Sequence, residues 1–149
     1  QKSFSENDFA LSHPGGTLGR RLLLRVNDIM HTGKGIPKVV ENATLSEALV
    51  EMSEKGLGVT TIVNKNDVVL GIFTDGDLRR ALDSGADFKN CHVKDVMTKN
   101  GKQIIINSLA ASALALMETH RINALVVVDE KNKLCGILNM HDLLIARVI

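Results

Sequence analysis

Gly71-Ile72-Phe73-Thr74-Asp75-Gly76-Asp77-Leu78 and Gly136-Ile137-Leu138-Asn139-Met140-His141-Asp142-Leu143 are two versions of one phrase, set 65 residues apart. The same offset pairs Ala48 with Ala113, Leu49 with Leu114, Met52 with Met117 and Val63 with Val128. A short leader, Val26-Asn27-Asp28-Ile29-Met30, returns as Val93-Lys94-Asp95-Val96-Met97 at an offset of 67, so the spacing of leader and body differs by two residues. A unit this long that occurs only twice predicts one domain with pseudo-twofold symmetry, not a solenoid. Two related halves facing each other across such an axis make a natural ligand cleft.

Within each copy the apolar period changes in the same order. Lys38–Val40 and Gln103–Ile106 are short and rich in β-branched residues, which predicts strands. Thr44 stands as an N-cap before Leu45, Ala48, Leu49 and Met52, which share one helical face, and Ser108 is placed to do the same before Leu109, Ala113, Leu116 and Met117. The apolar runs Val59–Val63 and Ala124–Val128 are of strand length. Polar turns lead from them into Val68–Phe73 and Leu134–Leu138, so each pair reads as a hairpin. Closing helices are expected over Asp75–Leu82 and Met140–Val148. The order is β-α-β-β-α, twice, which is an α+β fold of sandwich type. Both helices of a unit cover one face of its small sheet, and the nearly continuous apolar strands require a cover on the other face too. The second copy supplies it most simply.

The 149 residues are 44% hydrophobic but include only four Phe and no Tyr or Trp, so the core is aliphatic. Without aromatic stacking platforms, and with a scattered net charge of +1, the chain lacks the footprint of a nucleic-acid binder. Cys91 and Cys135 lack metal or redox spacing and read as reduced thiols of a cytoplasmic protein. No apolar run approaches the ~18 residues of a membrane span. The start at Gln1 is expected to mark a piece of something longer. Residues 1–25 lie outside the repeat, and Ser12-His13-Pro14-Gly15-Gly16-Thr17-Leu18-Gly19 within them is loop-like and lacks the lysine of a P-loop.

The paired Asp-Ile-Met and Asp-Val-Met leaders, the β-α-β-β-α order and the Gly-x-x-Thr-x-x-Asp phrase resemble a CBS-domain pair, or Bateman module, over about residues 26–149. The run Phe9-Ala10-Leu11-Ser12-His13-Pro14-Gly15-Gly16, with Leu23 to Gly33 and Gly71 to Arg80, resembles bacterial D-arabinose 5-phosphate isomerases. In that family a sugar-isomerase (SIS) domain precedes the CBS pair and serves synthesis of the lipopolysaccharide sugar Kdo. The resemblance implies that residues 1–25 are the end of the isomerase domain and a linker, with 26–88 and 89–149 the two CBS repeats. It implies a regulatory ligand, either an adenine nucleotide or a CMP-sugar such as CMP-Kdo, and a homodimer of CBS pairs within a tetrameric parent. No cofactor, metal, nucleic acid or membrane partner is implied. His13 matches a histidine at the isomerase active site, a residue suited to moving a proton between adjacent carbons. It would be catalytic only in the full-length enzyme.

Thr74-x-x-Asp77 has two readings. Thr74 caps the following helix, with an acid at its third position. Alternatively, the same helix N-terminus and hydroxyl receive a phosphate while Asp77 chelates two ribose hydroxyls. Both can hold, since a cap can exchange partners. The second copy keeps Asp142 but has Asn139 in place of the threonine, so the halves are expected to differ. Asp75 would repel a phosphate, and Arg79 and Arg80 are placed to offset it. By family analogy Ile36, Pro37, Gly58, Val59, Thr60, Thr61, Ala124 and Ile104 wall the pocket, with ordinary core packing the competing role. His31, His92, His120 and His141 show no metal-ligand spacing and are expected at the surface. No nucleophile–base set stands out for catalysis by this chain itself. The alternative to a ligand sensor is a dimerisation module with vestigial pockets. Leu143, Leu144, Ile145 and Val148 support it, since they exceed one buried helix face.

Overall fold

The computed structural model describes Gly19 and residues 22–148. After the short leader helix α1 (Val26–Ile29), the first copy runs β1 (Lys38–Val40), α2 (Leu45–Lys55), β2 (Val59–Val63), β3 (Val69–Thr74) and α3 (Asp75–Asp83). The second runs β4 (Gln103–Ile105), α4 (Ala110–His120), β5 (Ala124–Val128), β6 (Leu134–Asn139) and α5 (Met140–Ile145). Each copy forms its own three-stranded sheet, β1-β2-β3 and β4-β5-β6. The first pair in each is parallel and the second antiparallel. Even the irregularities repeat: a register shift at Ile62/Val63 has its counterpart at Val127/Val128.

The middle strands are buried along their length because both faces are covered. On the helical side, Leu45, Ala48, Met52, Ile62 and Phe73 form one core, and Ala113, Met117, Leu125, Leu138 and Leu143 form its twin. Between the sheets, Val59, Val126, Val128 and Ile137 make a third cluster shared by both copies. Burying each of the larger of these side chains contributes about 1.5–3 kcal/mol. The covered second face is the one the apolar strands required.

The pseudo-twofold axis passes between the two hairpin turns. Val68 pairs with Lys133 across it. Symmetry-matched bonds run from the Leu134 amide to the Asp67 carbonyl (2.9 Å) and from the Val69 amide to the Asn132 carbonyl (3.0 Å). Asp67 and Asn132 both take left-handed backbone, φ 65° and 64°, which short polar side chains tolerate.

The leaders exchange places. The first leader docks on the second copy: the Val26 amide donates to Ser108 O, the Ala110 amide to Leu24 O, and His31 and Ile137 exchange two backbone bonds. The second leader docks on the first copy in the same way, the Leu45 amide donating to Cys91 O while Thr98 and Ile72 exchange bonds. This exchange explains the glycine that opens each phrase. A Cβ on Gly71 would lie 2.7 Å from Met97 Sδ and 2.8 Å from Thr98 O, and one on Gly136 would lie 2.8 Å from His31 O. The crossing leader leaves no room for a side chain.

Two sequence expectations need correction. Ser108 does not cap α4. Leu109 occupies the N-cap position without a side-chain bond, and Leu24 O satisfies the Ala110 amide instead. The leader thus does the work of the cap. The last helix stops at Ile145, before Val148, because Arg147 turns left-handed at φ 62°. Thr44 is the cap expected of it, closing a reciprocal box with Glu47. Cys91 and Cys135 are free thiols, and burial pushes the Cys135 thiol upward from its ordinary pKa, helped by the charge of Asp129.

Candidate functional site in the cleft between the copies

Strand β3 delivers Thr74 to the start of α3, where its hydroxyl accepts from the Asp77 amide (3.4 Å) and the Asp77 carboxylate accepts from the Thr74 amide (2.9 Å). The capping reading of Thr-x-x-Asp is therefore correct. Asp77 does more than cap. Its side chain is only 2% exposed, and its other oxygen accepts from Thr98 Oγ1 at 2.7 Å and from the Arg80 guanidinium. A buried carboxylate demands such partners, and here one of them comes from the other copy's leader.

The second copy repeats the arrangement with different chemistry. Asn139 Oδ1 accepts from the Asp142 amide (2.9 Å), and Asp142 Oδ2 accepts from the Asn139 amide (2.8 Å). Where Thr98 stands in the first site, His31 stands in the second, its Nε2 lying 2.9 Å from Asp142 Oδ1. His31 is therefore half-buried and tied to a carboxylate, not a free surface histidine as the sequence led us to expect. His92, His120 and His141 are exposed.

Beside Thr74 a cleft of about 520 Å³ opens between the sheets. Its walls are aliphatic and come from both copies: Val59 and Ile72 from the first, Ala124, Val126 and Ile137 from the second. Its rim is polar, with Thr74, Asp75, Gly76 and Arg79 at the N-terminus of α3 facing Thr98, Lys102, Arg121 and Asn123. Gly58 completes the wall at φ 76°, a left-handed turn suited to glycine.

Of the residues proposed from sequence, Thr74, Gly58, Val59 and Ala124 line this cleft. Asp77 sits behind Thr74, linked to it and to the cleft residue Thr98. Thr60 and Thr61 are fully buried in β2. Thr60 points to the helical side and donates to Ala48 O (3.2 Å), whereas Thr61 Oγ1 has no partner. Ile36 lines a separate outer groove with Lys38, Glu51 and Asp67. Pro37 is buried, and Ile104 packs on the core of the second copy. His13 lies outside the described residues. Arg80 turns away to Asp77, leaving Arg79 as the arginine of α3 that faces the cleft.

Sequence reasoning did not single out Thr98 or Arg121. Thr98 follows the leader methionine directly, as His31 does, and a shared position after the repeated leader was the available signal. Arg121 is the counterpart of Gly56 at the 65-residue offset, and both end their helices in left-handed backbone. A residue forced into a glycine position is the kind of mismatch that marks a special site.

A fold of two exchanged β-α-β-β-α units around a shared cleft defines a class, and the comparisons agree on it. The CBS domain family model matches residues 26–84 and again 93–149. The chain belongs to the CBS-domain family and holds two copies of the domain. Over 148 residues, 99% of this chain, it is 53% identical to the arabinose 5-phosphate isomerase KdsD of Pseudomonas aeruginosa and 51% identical to that of Escherichia coli K12. It spans only 45% of the length of each of those relatives. Among solved structures, a putative acetoin utilization protein (AcuB) from Vibrio cholerae superposes with a TM-score of 0.75 at 24% identity, covering 85% of this chain and 93% of that one. CBSX2, solved in complex with AMP, gives 0.72 at 24% identity, covering 84% and 96%. No helix among the described residues is long and apolar enough to cross a membrane, and no group of three or more His, Cys, Asp or Glu there is placed to hold a metal ion.

Proposed function

We propose that this chain is the regulatory, nucleotide-sensing CBS pair of an arabinose 5-phosphate isomerase, with residues 1–25 joining it to the isomerase domain. The cleft beside Thr74 carries this reading. Its aliphatic walls suit a flat base held between the copies, and its rim combines a helix N-terminus, a hydroxyl and three cations, a setting for phosphate. Asp77 would take the ribose diol by releasing Thr98, which lines the cleft. Asn139 and Asp142 would form the weaker or differently selective half-site, in which His31 must move for the diol to enter. Catalysis would belong to the preceding domain, where His13 completes the isomerase site.

The similarity in sequence to the isomerases supports the enzyme context. The AMP bound to CBSX2 makes adenine nucleotides natural first ligands to try. CMP-Kdo, the activated end product of the pathway, is a rival feedback ligand with the same ribose and phosphate. Calorimetric titration of this chain with AMP, ATP, CMP and CMP-Kdo tests the reading. Saturable heat from one of them, and a change in isomerase activity of the full-length enzyme with that ligand, is the expected result. Silence from all four contradicts it.

A second reading, dimerisation with vestigial pockets, is favoured by one observation. Leu144 and Ile145 on α5 are 56% and 67% exposed, a surface suited to another CBS pair. An isomerase indifferent to every nucleotide, but dissociated by Leu144→Asp, would support it.

A further inference from the structure

The two halves of the cleft differ in charge as well as in their caps. Arg79, Lys102 and Arg121 all line the half beside Thr74, where a single carboxylate, Asp75, opposes them. None of the three cations takes part in an ion pair among the described residues. The positions that the repeat matches to them hold Leu144, Pro37 (Gly35 by the leader offset) and Gly56, and Met140 stands in place of Asp75. The turn that carries Gly35 does hold Lys34, but that lysine lines the outer groove with Lys38 and Lys55. His141 replaces Gly76 on the other rim, and His31 is held by Asp142.

A second asymmetry lies in the wall. Val59 and Thr61 share a face of β2, since alternate residues of a strand point the same way. Val59 lines the cleft, as does Val126, the counterpart of Thr61. Thr61 itself is fully buried and does not line the cleft, and its hydroxyl is unpartnered, a costly state. The second copy has no such hydroxyl at the matched position.

From these two differences we infer that the cleft takes one ligand per chain, in the half beside Thr74, and that this ligand carries at least two negative charges, held by Arg79, Lys102 and Arg121. The inference rests on the proposed role as a nucleotide sensor and specifies its ligand class and stoichiometry. Arg79 comes from the first copy, and Lys102 and Arg121 from the second. A multiply charged ligand would therefore clamp the copies together, whereas a neutral nucleoside would occupy only the aliphatic walls.

The test is calorimetry of the 149-residue chain with two series, adenosine, AMP and ADP, and cytidine, CMP and CDP, at two salt concentrations. We expect one site per chain and affinity about tenfold or more higher for the diphosphate than for the nucleoside, falling as salt rises. Arg121→Gly installs the residue that the first copy uses at that backbone angle, so the fold is kept while the charge is removed. It should weaken the diphosphate several-fold and leave the nucleoside unchanged, as should Lys102→Ala, whereas Lys34→Ala should do neither. Two equivalent sites per chain, or binding indifferent to phosphate number and to Arg121→Gly, would overturn the inference while leaving nucleotide sensing intact. Silence from every compound in both series, and from ATP and CMP-Kdo as well, would instead contradict nucleotide sensing itself.

Discussion

Thr98 Oγ1 donates to Asp77 Oδ1 at 2.7 Å, joining the second leader to the first copy through a carboxylate that is only 2% exposed. The bond has a counterpart in His31 and Asp142, 2.9 Å apart. Each phrase is thus latched through its aspartate by the leader of the other copy, and the Thr98 latch lies at the rim where a ligand would enter. Thr98→Val, which keeps the shape and removes the donor, should lower stability by about 1–3 kcal/mol in chemical denaturation. An unchanged midpoint would mean that Arg80 and Thr74 alone satisfy the carboxylate.

Gly71 and Gly136 should tolerate no side chain. Each Cβ would meet a backbone carbonyl at 2.8 Å, which cannot swing aside as a side chain can. Gly71→Ala and Gly136→Ala should each cost about 1–3 kcal/mol, by overpacking. Gly56 provides the control. Its Cβ meets nothing within 4 Å, so Gly56→Ala is strained only by its φ of 68° and should cost about 1 kcal/mol. Thermal unfolding of the three variants orders them.

Arg121→Gly should be neutral to stabilising, by up to about 1 kcal/mol, because Arg121 ends α4 at φ 53° and glycine removes the left-handed strain. A marked loss of stability would show that the Arg121 side chain supports the fold, which would weaken its assignment to a ligand.

Acid should weaken two of the turns. The Lys133 amide, with help from the Lys131 amide, holds the Asp129 carboxyl below its ordinary value of 3.8, and the Asn90 side chain does the same for Asp87. A folded-state pKa below the unfolded one gives stability that is complete above 3.8 and is lost as pH falls through the folded value. Denaturant midpoints measured from pH 5 to 2 should fall less steeply for Asp129→Asn than for the unaltered chain. Identical slopes would contradict this.

The repeat was legible because core residues recur at fixed spacing, and so the strand order, the Thr44 cap, the Thr74 cap and the asymmetry of Asn139 could all be read from one copy against the other. What could not be read was partnership between copies. Offsets of 67 for the leader and 65 for the body record a difference in spacing, but a leader fits either its own sheet or the other's equally well on paper. That exchange supplies the Ala110 amide with Leu24 O, so Ser108 is not needed as a cap. It also brings His31 to Asp142, which no local pattern encodes. Ile36 and Ile104 were expected at the pocket by family analogy. The packing of the leaders puts Lys102 at the cleft instead and turns Ile36 to the outer groove.

The central claim is that a nucleotide enters between the copies beside Thr74. Methyl-resolved NMR of the chain, titrated with AMP, ATP, CMP and CMP-Kdo, tests it most directly. The account predicts saturable shifts at Val59, Ile72, Ala124 and Ile137, with Ile36 and Ile104 unmoved. Shifts confined to Ile36 and Leu134 in the outer groove, or none with any of the four, would contradict it.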